Sequence, residues 1–205
     1  MNSTMLTGKH IAFLFTDGVE QSELIEPLKA VKAAGGAAML ISPQAHEVQM
    51  MRHDDKGDTI HAEVAAADVD AADFDGLVVP GGVANPDRMR GDPASVRFVK
   101  SFFQQGKPVG VICHGPWMLA EADVVRDRTV TSWPSLRTDL ENAGATWVDK
   151  EVCVDGSLVT SRKPDDLPAF CAEIVQQFSA ATSGTSRAGG AAGAGAPSTE
   201  RSRSS

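Results

Sequence analysis

Short runs of consecutive apolar residues alternate along this chain with longer stretches in which apolar residues recur every three or four positions. The short runs are typical of strands buried on both faces, and the longer stretches, such as the one containing Leu24, Leu28 and Val31, indicate amphipathic helices. Buried strands that alternate with helices form a mostly parallel sheet covered on both faces. We therefore predict a three-layer, doubly wound α/β fold. The four clearest strands are predicted at His10–Thr16, Ala37–Ser42, Leu77–Pro80 and Pro108–Ile112.

The other elements follow from the same two periods. The first helix is expected to have Ser22 as its N-cap and to end at Gly35–Gly36. Two short alternating segments flank Asp54–Gly57, which predicts an exposed hairpin over Val48–Glu63. Weaker patterns predict strands at Thr129–Ser132, Val152–Val154 and Leu158–Ser161, and helices at Ala94–Gln105, Ser135–Ala143 and Asp165–Phe178.

The last 24 of the 205 residues differ in composition from the rest of the chain. In residues 182–205, 16 residues are Gly, Ala or Ser, and none is Val, Ile, Leu, Met, Phe or Trp. Such a segment buries too little apolar surface to offset the entropy that is lost when it becomes ordered. We therefore predict a single α/β domain over residues 1–181 and a disordered tail over residues 182–205.

Charge and hydropathy exclude two classes of partner. The net charge is −8 with no basic patch, and an acidic surface repels phosphate backbones, so nucleic-acid binding is not expected. The apolar runs are far shorter than the ~20 residues that span a bilayer, and the N-terminus lacks the features of a signal peptide. The three cysteines form no CxxC pair, in keeping with a reducing compartment. We predict a cytoplasmic protein with no membrane partner.

Unusual residues directly follow three of the predicted strands. Asp17–Glu20 come after the first strand, Gly81–Gly82 after the third, and Cys113–His114 after the fourth. Ligand sites of doubly wound sheets lie at the carboxyl ends of the strands. We therefore expect these three groups to converge on one site.

Cys113 lies on the predicted turn between a buried strand and a helix, in the sequence VGVICHGP. A thiol at such an elbow feels the positive end of the helix dipole, which raises the thiolate fraction that a nucleophile needs. Val111 departs from the usual Gly-x-Cys-x-Gly pattern of an elbow, in which a glycine stands two residues before the nucleophile. The competing interpretation is a buried structural thiol, which is our interpretation of Cys153 and Cys171.

His114 is the best candidate for the base that assists Cys113, although adjacent side chains on a turn often point apart. Asp87 is a candidate for the acid that orients His114. It is equally well explained as a helix N-cap or a surface partner of Arg88, and an acid from another subunit is a further alternative. The N–H groups of Gly82 and His114 are candidates for an oxyanion hole, and an ordinary turn is the competing interpretation of Gly81 and Gly82.

Glu20 is expected to approach Cys113 from the end of the first strand. A carboxyl and a thiol that share a dry pocket titrate as a unit, so Glu20 would stay protonated and donate to the sulfur. The alternative role for Glu20 is an acid that stabilises the first turn of a helix. Trp117 and Trp133 are candidates for side chains that narrow the pocket.

No metal ion or cofactor is expected. The histidines of the predicted hairpin region, His46, His53 and His61, have spacings that match no common zinc-ligand pattern, so we interpret them as solvated. The chain also contains neither of the glycine-rich phosphate-binding motifs, GxGxxG and GxxxxGK[ST].

Together these residues resemble the ThiJ/PfpI superfamily, and within it the PfpI-type branch of intracellular protease-like proteins. The resemblance extends over about 9–178 and implies a flavodoxin-like fold of the class I glutamine amidotransferase type. Amidotransferase activity itself is not expected, because His114 follows the cysteine directly and no distal His-x-Glu is present. The matching pieces, in order, are DGVEQSEL (Asp17–Leu24) with Pro27, LVVPGG (Leu77–Gly82), GKPV (Gly106–Val109), ICHGP (Ile112–Pro116) and TSRKPDDL (Thr160–Leu167).

The resemblance also implies a role for each candidate residue. Cys113 would be the nucleophile, His114 its partner, and Glu20 the carboxyl that hydrogen-bonds the thiol. Gly82 and His114 would supply the backbone oxyanion site. Asp87 falls where such proteins place an acid that reaches the histidine across a subunit interface, although the loop differs in length by one residue and Asp replaces Glu. Family members form dimers or hexamers, so a homodimer or hexamer is expected.

The function that the resemblance implies is an intracellular peptidase, glyoxalase or protein deglycase in a stress or damage response. One mechanism accommodates all three activities, because in each the thiolate attacks a carbonyl group of a small carbonyl compound or a peptide. The alternative is a non-catalytic redox sensor or stress chaperone. In that case Cys113 is oxidised to a sulfinate that accepts a hydrogen bond from Glu20.

Overall fold

A seven-stranded sheet forms the centre of the protein in a computed structural model that describes residues 4–181. The strand order is β10-β11-β7-β6-β1-β2-β5, and every neighbouring pair is parallel except the edge pair β10–β11. This confirms the predicted mostly parallel sheet. The strands are β1 (His10–Leu14), β2 (Ala37–Ser42), β3 (Glu47–Arg52), β4 (Asp55–His61), β5 (Val64–Ala65), β6 (Gly76–Val79), β7 (Val109–Ile112), β8 (Thr129–Val130), β9 (Thr146–Trp147), β10 (Val152–Asp155) and β11 (Leu158–Ser161).

Helices cover both faces of the sheet, so the predicted three layers are present. Side chains of β1 alternate between two apolar cores: Ile11 and Phe13 pack with α1 and α6, whereas Ala12 and Leu14 pack with helices of the opposite face. Burial on both faces explains why the strand sequences are continuously apolar. The helices are α1 (Gln21–Ala33), α2 (Ala84–Arg90), α3 (Pro93–Gln104), α4 (Trp117–Glu121), α5 (Arg137–Asn142) and α6 (Leu167–Ala180).

The structure corrects the sequence-based prediction in three places. Strands β3 and β4 form the predicted hairpin, but its turn has His53 in the left-handed region, with φ 56°, and Val48 and Met50 of β3 are buried rather than exposed. The strand predicted near Thr129 leaves the main sheet and pairs with β9. Helix α2 was not predicted, because it has only seven residues and begins just after Gly81–Gly82, a pair that is typical of a loop.

Two further predictions concern the C-terminal tail and membrane-spanning segments. The predicted tail, residues 182–205, lies outside the described residues. Within residues 4–181 no helix is both long and apolar enough to cross a membrane.

Candidate active site

Cys113 lies directly after β7, on a sharp turn into α4. Its φ is 63°, in the left-handed region that is unusual for a residue other than glycine, and its N–H donates to the Ser161 carbonyl at 3.0 Å. Such strain costs about 1–3 kcal/mol and persists only where the surroundings enforce it. The glycine that this turn requires is Gly115, where a Cβ would lie 2.8 Å from a methyl group of Val111. Because Gly115 has no side chain, the turn has room for Val111 at the position where the usual elbow pattern has a glycine.

Glu23, and not Glu20, is the carboxyl beside the thiol. The Glu23 side chain is fully buried, one of its oxygens accepts the Gly81 N–H at 3.0 Å, and its carboxyl is close enough to the Cys113 thiol for each group to shift the pKa of the other. The prediction for Glu20 is wrong, because its carboxylate turns away to accept the His53 N–H at 2.9 Å and the Ser22 hydroxyl at 3.2 Å. Glu20 thus anchors the hairpin to the loop after β1.

The start of α1 explains why Glu23, rather than Glu20, lies beside the thiol. Glu20 is the N-cap, with extended backbone, so the predicted cap at Ser22 is wrong and the helix begins two residues earlier. Glu23 then falls on the face of α1 that packs against the sheet. The sequence contained a signal for Glu23, because this acid lies on the apolar stripe of α1, where burying a charge is costly. The buried residues of this face are Glu23, Leu24, Pro27, Leu28 and Val31.

Cys113 and Glu23 titrate as a coupled pair. Burial raises the pKa of Glu23 to about 8. Burial, followed by the charge of Glu23, raises the pKa of Cys113 far above its usual range, while the N–H groups of Gly82 and His114 point at the sulfur and oppose that rise. The two groups therefore cannot both be ionised, and near neutral pH the pair carries at most one negative charge. The N–H groups of Gly82 and His114 lower the cost of placing that charge on sulfur.

His114 contacts the thiol from the other side. Its Nδ1 lies 3.2 Å from the Cys113 sulfur, so the adjacent side chains converge. Two indoles hold the imidazole: Trp133 stacks on it with ring centroids 5.6 Å apart, and Trp117 meets it edge-on at 5.5 Å. Burial lowers the pKa of His114, so the ring is neutral at pH 7, and with its proton on Nε2 it can accept the thiol proton at Nδ1.

The structure does not bring Asp87 to His114 within one chain. Asp87 lies exposed on the first turn of α2. Within residues 4–181 the His114 imidazole contacts the side chains of Cys113, Trp117 and Trp133. An acid that reaches His114 across a subunit interface stays a prediction.

Gly81 and Gly82 form the wall opposite the Cys113 thiol, where the space leaves no room for a side chain. A Cβ on Gly81 would lie 2.5 Å from a Glu23 carboxyl oxygen and 2.6 Å from Cys113 Cβ. Gly82 has φ 83°, and a Cβ there would overlap the backbone carbonyl of Gly18. The absence of both side chains lets backbone N–H groups reach the sulfur.

Gly82→Ala is expected to lower the free energy of unfolding by at least about 2 kcal/mol more than Gly106→Ala does, because overpacking adds to the φ penalty. Gly106 is a matched control: it also has positive φ, 64°, but a Cβ there meets nothing within 4 Å. Urea unfolding of both variants measures the difference. Equal losses would contradict the tight packing of Gly82 against the loop after β1.

The hairpin histidines do not assemble a metal site. His46 pairs with Asp17 at 3.1 Å and His61 with Glu47 at 3.0 Å, so the two contact different carboxylates. Within residues 4–181 there is no group of three or more His, Cys, Asp or Glu side chains placed to hold a metal ion.

The chain that carries this site is similar to known proteins over most of its length. The profile of the DJ-1/PfpI family matches residues 9–177, nearly the whole described chain. The chain belongs to the DJ-1/PfpI family. This confirms the resemblance to the ThiJ/PfpI superfamily that the sequence motifs indicated.

Relatives in this family match over almost their entire length. The chain is 43% identical over 162 residues to "Putative cysteine protease YraA" of Bacillus subtilis, covering 79% of this chain and 94% of that protein. It is 42% identical over 173 residues to "Protein/nucleic acid deglycase 2" of Escherichia coli, covering 84% and 99%. The crystal structure of Drosophila melanogaster DJ-1beta superposes with a TM-score of 0.76 at 28% identity, covering 83% of this chain and 90% of that one.

Proposed function

We propose that this protein is an enzyme in which the Cys113 thiolate attacks the carbonyl carbon of a small dicarbonyl compound or of an adduct that such a compound forms. The observation that carries the proposal is the position of one thiol between the carboxyl of Glu23 and Nδ1 of His114, under the N–H groups of Gly82 and His114. A nucleophile, a neutral base and two oxyanion donors are the groups that carbonyl addition needs.

The geometry supports the following steps for methylglyoxal. The sulfur bonds to the aldehyde carbon, and the carbonyl oxygen takes the electron pair beside the N–H groups of Gly82 and His114. A base removes the proton from that carbon and a proton is returned to the neighbouring carbon, which gives a thioester of lactate. Water then cleaves the C–S bond, releasing lactate and restoring the thiol. His114 and Glu23 are the groups within reach of these protons.

The surroundings of the thiol favour a small substrate over an extended chain. Cys113 is only 6% exposed, and Trp117 and Trp133 border His114. A peptide bond would have to enter this narrow space with residues on both sides. We therefore propose that carbonyl compounds and their adducts, rather than peptides, are the substrates, consistent with the name deglycase given to one relative.

The test is lactate formation from methylglyoxal by the purified full-length protein in a buffer free of thiols. The matched control is the same protein unfolded in urea and assayed at equal thiol concentration, since it carries the same three cysteines without the site. Lactate that forms in proportion to folded protein alone is the expected result. Equal rates from folded and unfolded protein would overturn the proposal, because they would show thiol reactivity without catalysis.

A redox role for Cys113 is the second candidate. A sulfinate there would place its oxygens among the same N–H groups of Gly82 and His114, and the neutral carboxyl of Glu23 would donate to it in place of Glu20. Peroxide treatment followed by mass spectrometry would then show a sulfinate at Cys113 that forms without loss of the fold. This outcome together with no turnover would favour the second candidate.

A further inference from the structure

Helix α5 holds one of the two indoles that contact the His114 ring. The Asp139 carboxylate, in the first turn of α5, accepts the Trp117 indole N–H at 2.8 Å. Trp117 in turn meets the His114 imidazole edge-on, with ring centroids 5.5 Å apart. Asp139 is exposed and contacts neither the imidazole nor the Cys113 thiol, and none of the proposed catalytic steps uses it.

The imidazole of His114 depends on its ring contacts for its orientation. Its Nδ1 lies 3.2 Å from the Cys113 sulfur, and within residues 4–181 no group hydrogen-bonds its Nε2. In sites of this kind a third group usually orients the base that serves the nucleophile. Because the described part of the chain supplies no such hydrogen bond, the two indoles set the direction in which Nδ1 points.

The backbone of Trp133 fixes the position of that indole. Its N–H donates to the Cys113 carbonyl at 2.9 Å, and its carbonyl accepts the Leu136 N–H at 3.1 Å and the Ser132 hydroxyl at 2.9 Å. None of these bonds involves α5 or the indole N–H. The contact of Trp133 with His114 is therefore independent of Asp139.

The Trp117 indole is fixed through its side chain instead. Asp139 accepts its N–H, and the Arg90 guanidinium lies 5.6 Å from the centre of its ring. A guanidinium over an aromatic face attracts the ring without fixing its rotation in the plane, whereas a hydrogen bond to the indole N–H is directional. Loss of the Asp139 acceptor would therefore free the Trp117 ring and leave Trp133 in place.

Asp139 also has a purely structural explanation. It is an acid in the first turn of a helix, where the positive end of the helix dipole stabilises a negative charge. That role requires the charge, whereas the bond to the indole requires only an oxygen acceptor. An asparagine keeps the acceptor and lacks the charge, so Asp139→Asn separates the two roles.

We infer that Asp139 is a positioning residue of the active site: it fixes the Trp117 indole, and the indole keeps Nδ1 of His114 directed at the Cys113 sulfur. The inference rests on the proposed function, since the base that it positions is the one that takes the thiol proton. A small displacement of a reacting group lowers the rate strongly. An exposed carboxylate on α5 thus affects turnover through one intervening ring.

The kinetic test uses substitutions at Asp139. Asp139→Leu is expected to lower kcat for methylglyoxal about tenfold and to change KM less than twofold, because the groups around the substrate carbonyl remain. Asp139→Asn should keep at least about half of the wild-type kcat. Thr138→Leu is the matched control, because Thr138 is exposed on the same helix, and we expect the wild-type rate. Equal losses in Asp139→Asn and Asp139→Leu, or a wild-type kcat in Asp139→Leu, would overturn the inference.

A double-mutant cycle tests whether Asp139 acts through Trp117. Trp117→Phe removes the indole N–H but retains an aromatic ring, and it should also lower kcat. In that background Asp139→Leu is expected to cause less than about a twofold further loss, because the hydrogen bond is already absent. A further tenfold loss would show that Asp139 acts by another route.

A measurement without turnover distinguishes failure of this inference from failure of the proposed reaction. Burial, rather than a nearby charge, lowers the pKa of His114. A freed Trp117 ring admits water to the imidazole, so Asp139→Leu should raise the pKa of His114 toward its ordinary value of 6.5, and Asp139→Asn should leave it unchanged.

NMR titration of the His114 ring signals in the full-length protein, assigned with His114→Gln, measures this pKa. A raised pKa in Asp139→Leu, found together with no lactate formation by the wild-type protein, would uphold the positioning and overturn the proposed reaction. An unchanged pKa in Asp139→Leu would overturn the positioning.

Discussion

Replacing Cys113 by alanine is expected to lower lactate formation from methylglyoxal by at least about a thousandfold, because no other group can form the covalent intermediate. Within residues 4–181 the other two thiols lie elsewhere: Cys153 is on β10, where it donates to the Thr129 carbonyl, and Cys171 is on α6. Initial rates at saturating methylglyoxal measure the effect, with far-ultraviolet circular dichroism as the check that the variant is folded.

Cys171→Ala is the matched control for that experiment. Cys171 is half-buried rather than enclosed, and burial followed by the charge of Glu26 raises the pKa of its thiol to about 12. We expect this variant to keep the wild-type rate. A Cys113→Ala protein that retains turnover, or a Cys171→Ala protein that loses it, would show that the reacting thiol is not the one at the elbow.

Glu23→Gln is expected to lower turnover by about 10²- to 10³-fold, in the range that removal of a general acid or base typically produces. The amide still accepts the Gly81 N–H, so the wall of the site is preserved, but it can neither take up nor release a proton. The rate of lactate formation measures this effect. Glu20→Gln is the comparison, because its carboxyl contacts the hairpin instead of the sulfur, and we expect it to retain most of the rate.

The same variant is expected to become more stable than wild type as the pH rises. The pKa of Glu23 is raised from 4.5 to about 8 in the folded protein, so between these values the folded state holds a proton that the unfolded state has lost. The wild-type protein therefore loses stability as pH rises through this window, and Glu23→Gln does not. At 1.36 kcal/mol per pKa unit, the difference between the two proteins grows by up to about 3 kcal/mol from pH 6 to pH 9.

Urea unfolding at pH 6 and pH 9 tests this expectation. Glu121→Gln is the control, because the Glu121 side chain is 44% exposed and its partner, Arg90, keeps its charge over this range, so the pH dependence should remain as in wild type. Parallel stability curves for Glu23→Gln and wild type would contradict the raised pKa of Glu23. A more stable but much slower variant would show that the buried acid is kept for chemistry at a cost in stability.

The central strands β1, β6 and β7 were predictable because nearly all of their residues are buried on both faces, and β2 because its sequence is apolar. The predicted runs at His10, Ala37, Leu77 and Pro108 correspond to β1, β2, β6 and β7. The two-residue strand β9 was not predicted, because two residues carry no periodicity. Its pairing with β8 depends on where α5 ends, which is a tertiary property.

At the site, the local sequence predicted the residues that contribute through their backbone, by a tight turn or by an N–H group. Cys113 on its elbow and the N–H groups of Gly82 and His114 follow from a strand, a tight turn and a glycine, all of which are read from consecutive residues. The contact of His114 with the thiol was not determined in this way. It depends on Trp117 and Trp133, which pack against the ring from two different segments.

The sequence by itself determined the fold class, the nucleophile candidate and the sheet edge where it lies, because these depend on hydrophobic periodicity and chain order. Only the tertiary structure decided that Glu23 rather than Glu20 meets the thiol. Because α1 begins two residues before its predicted start, Glu20 is the N-cap outside the helix and Glu23 lies on the helix face that meets the sheet. The packing of α1 against the sheet decides which face of the helix is buried, and the sequence signalled it only through the acid on the apolar stripe of α1.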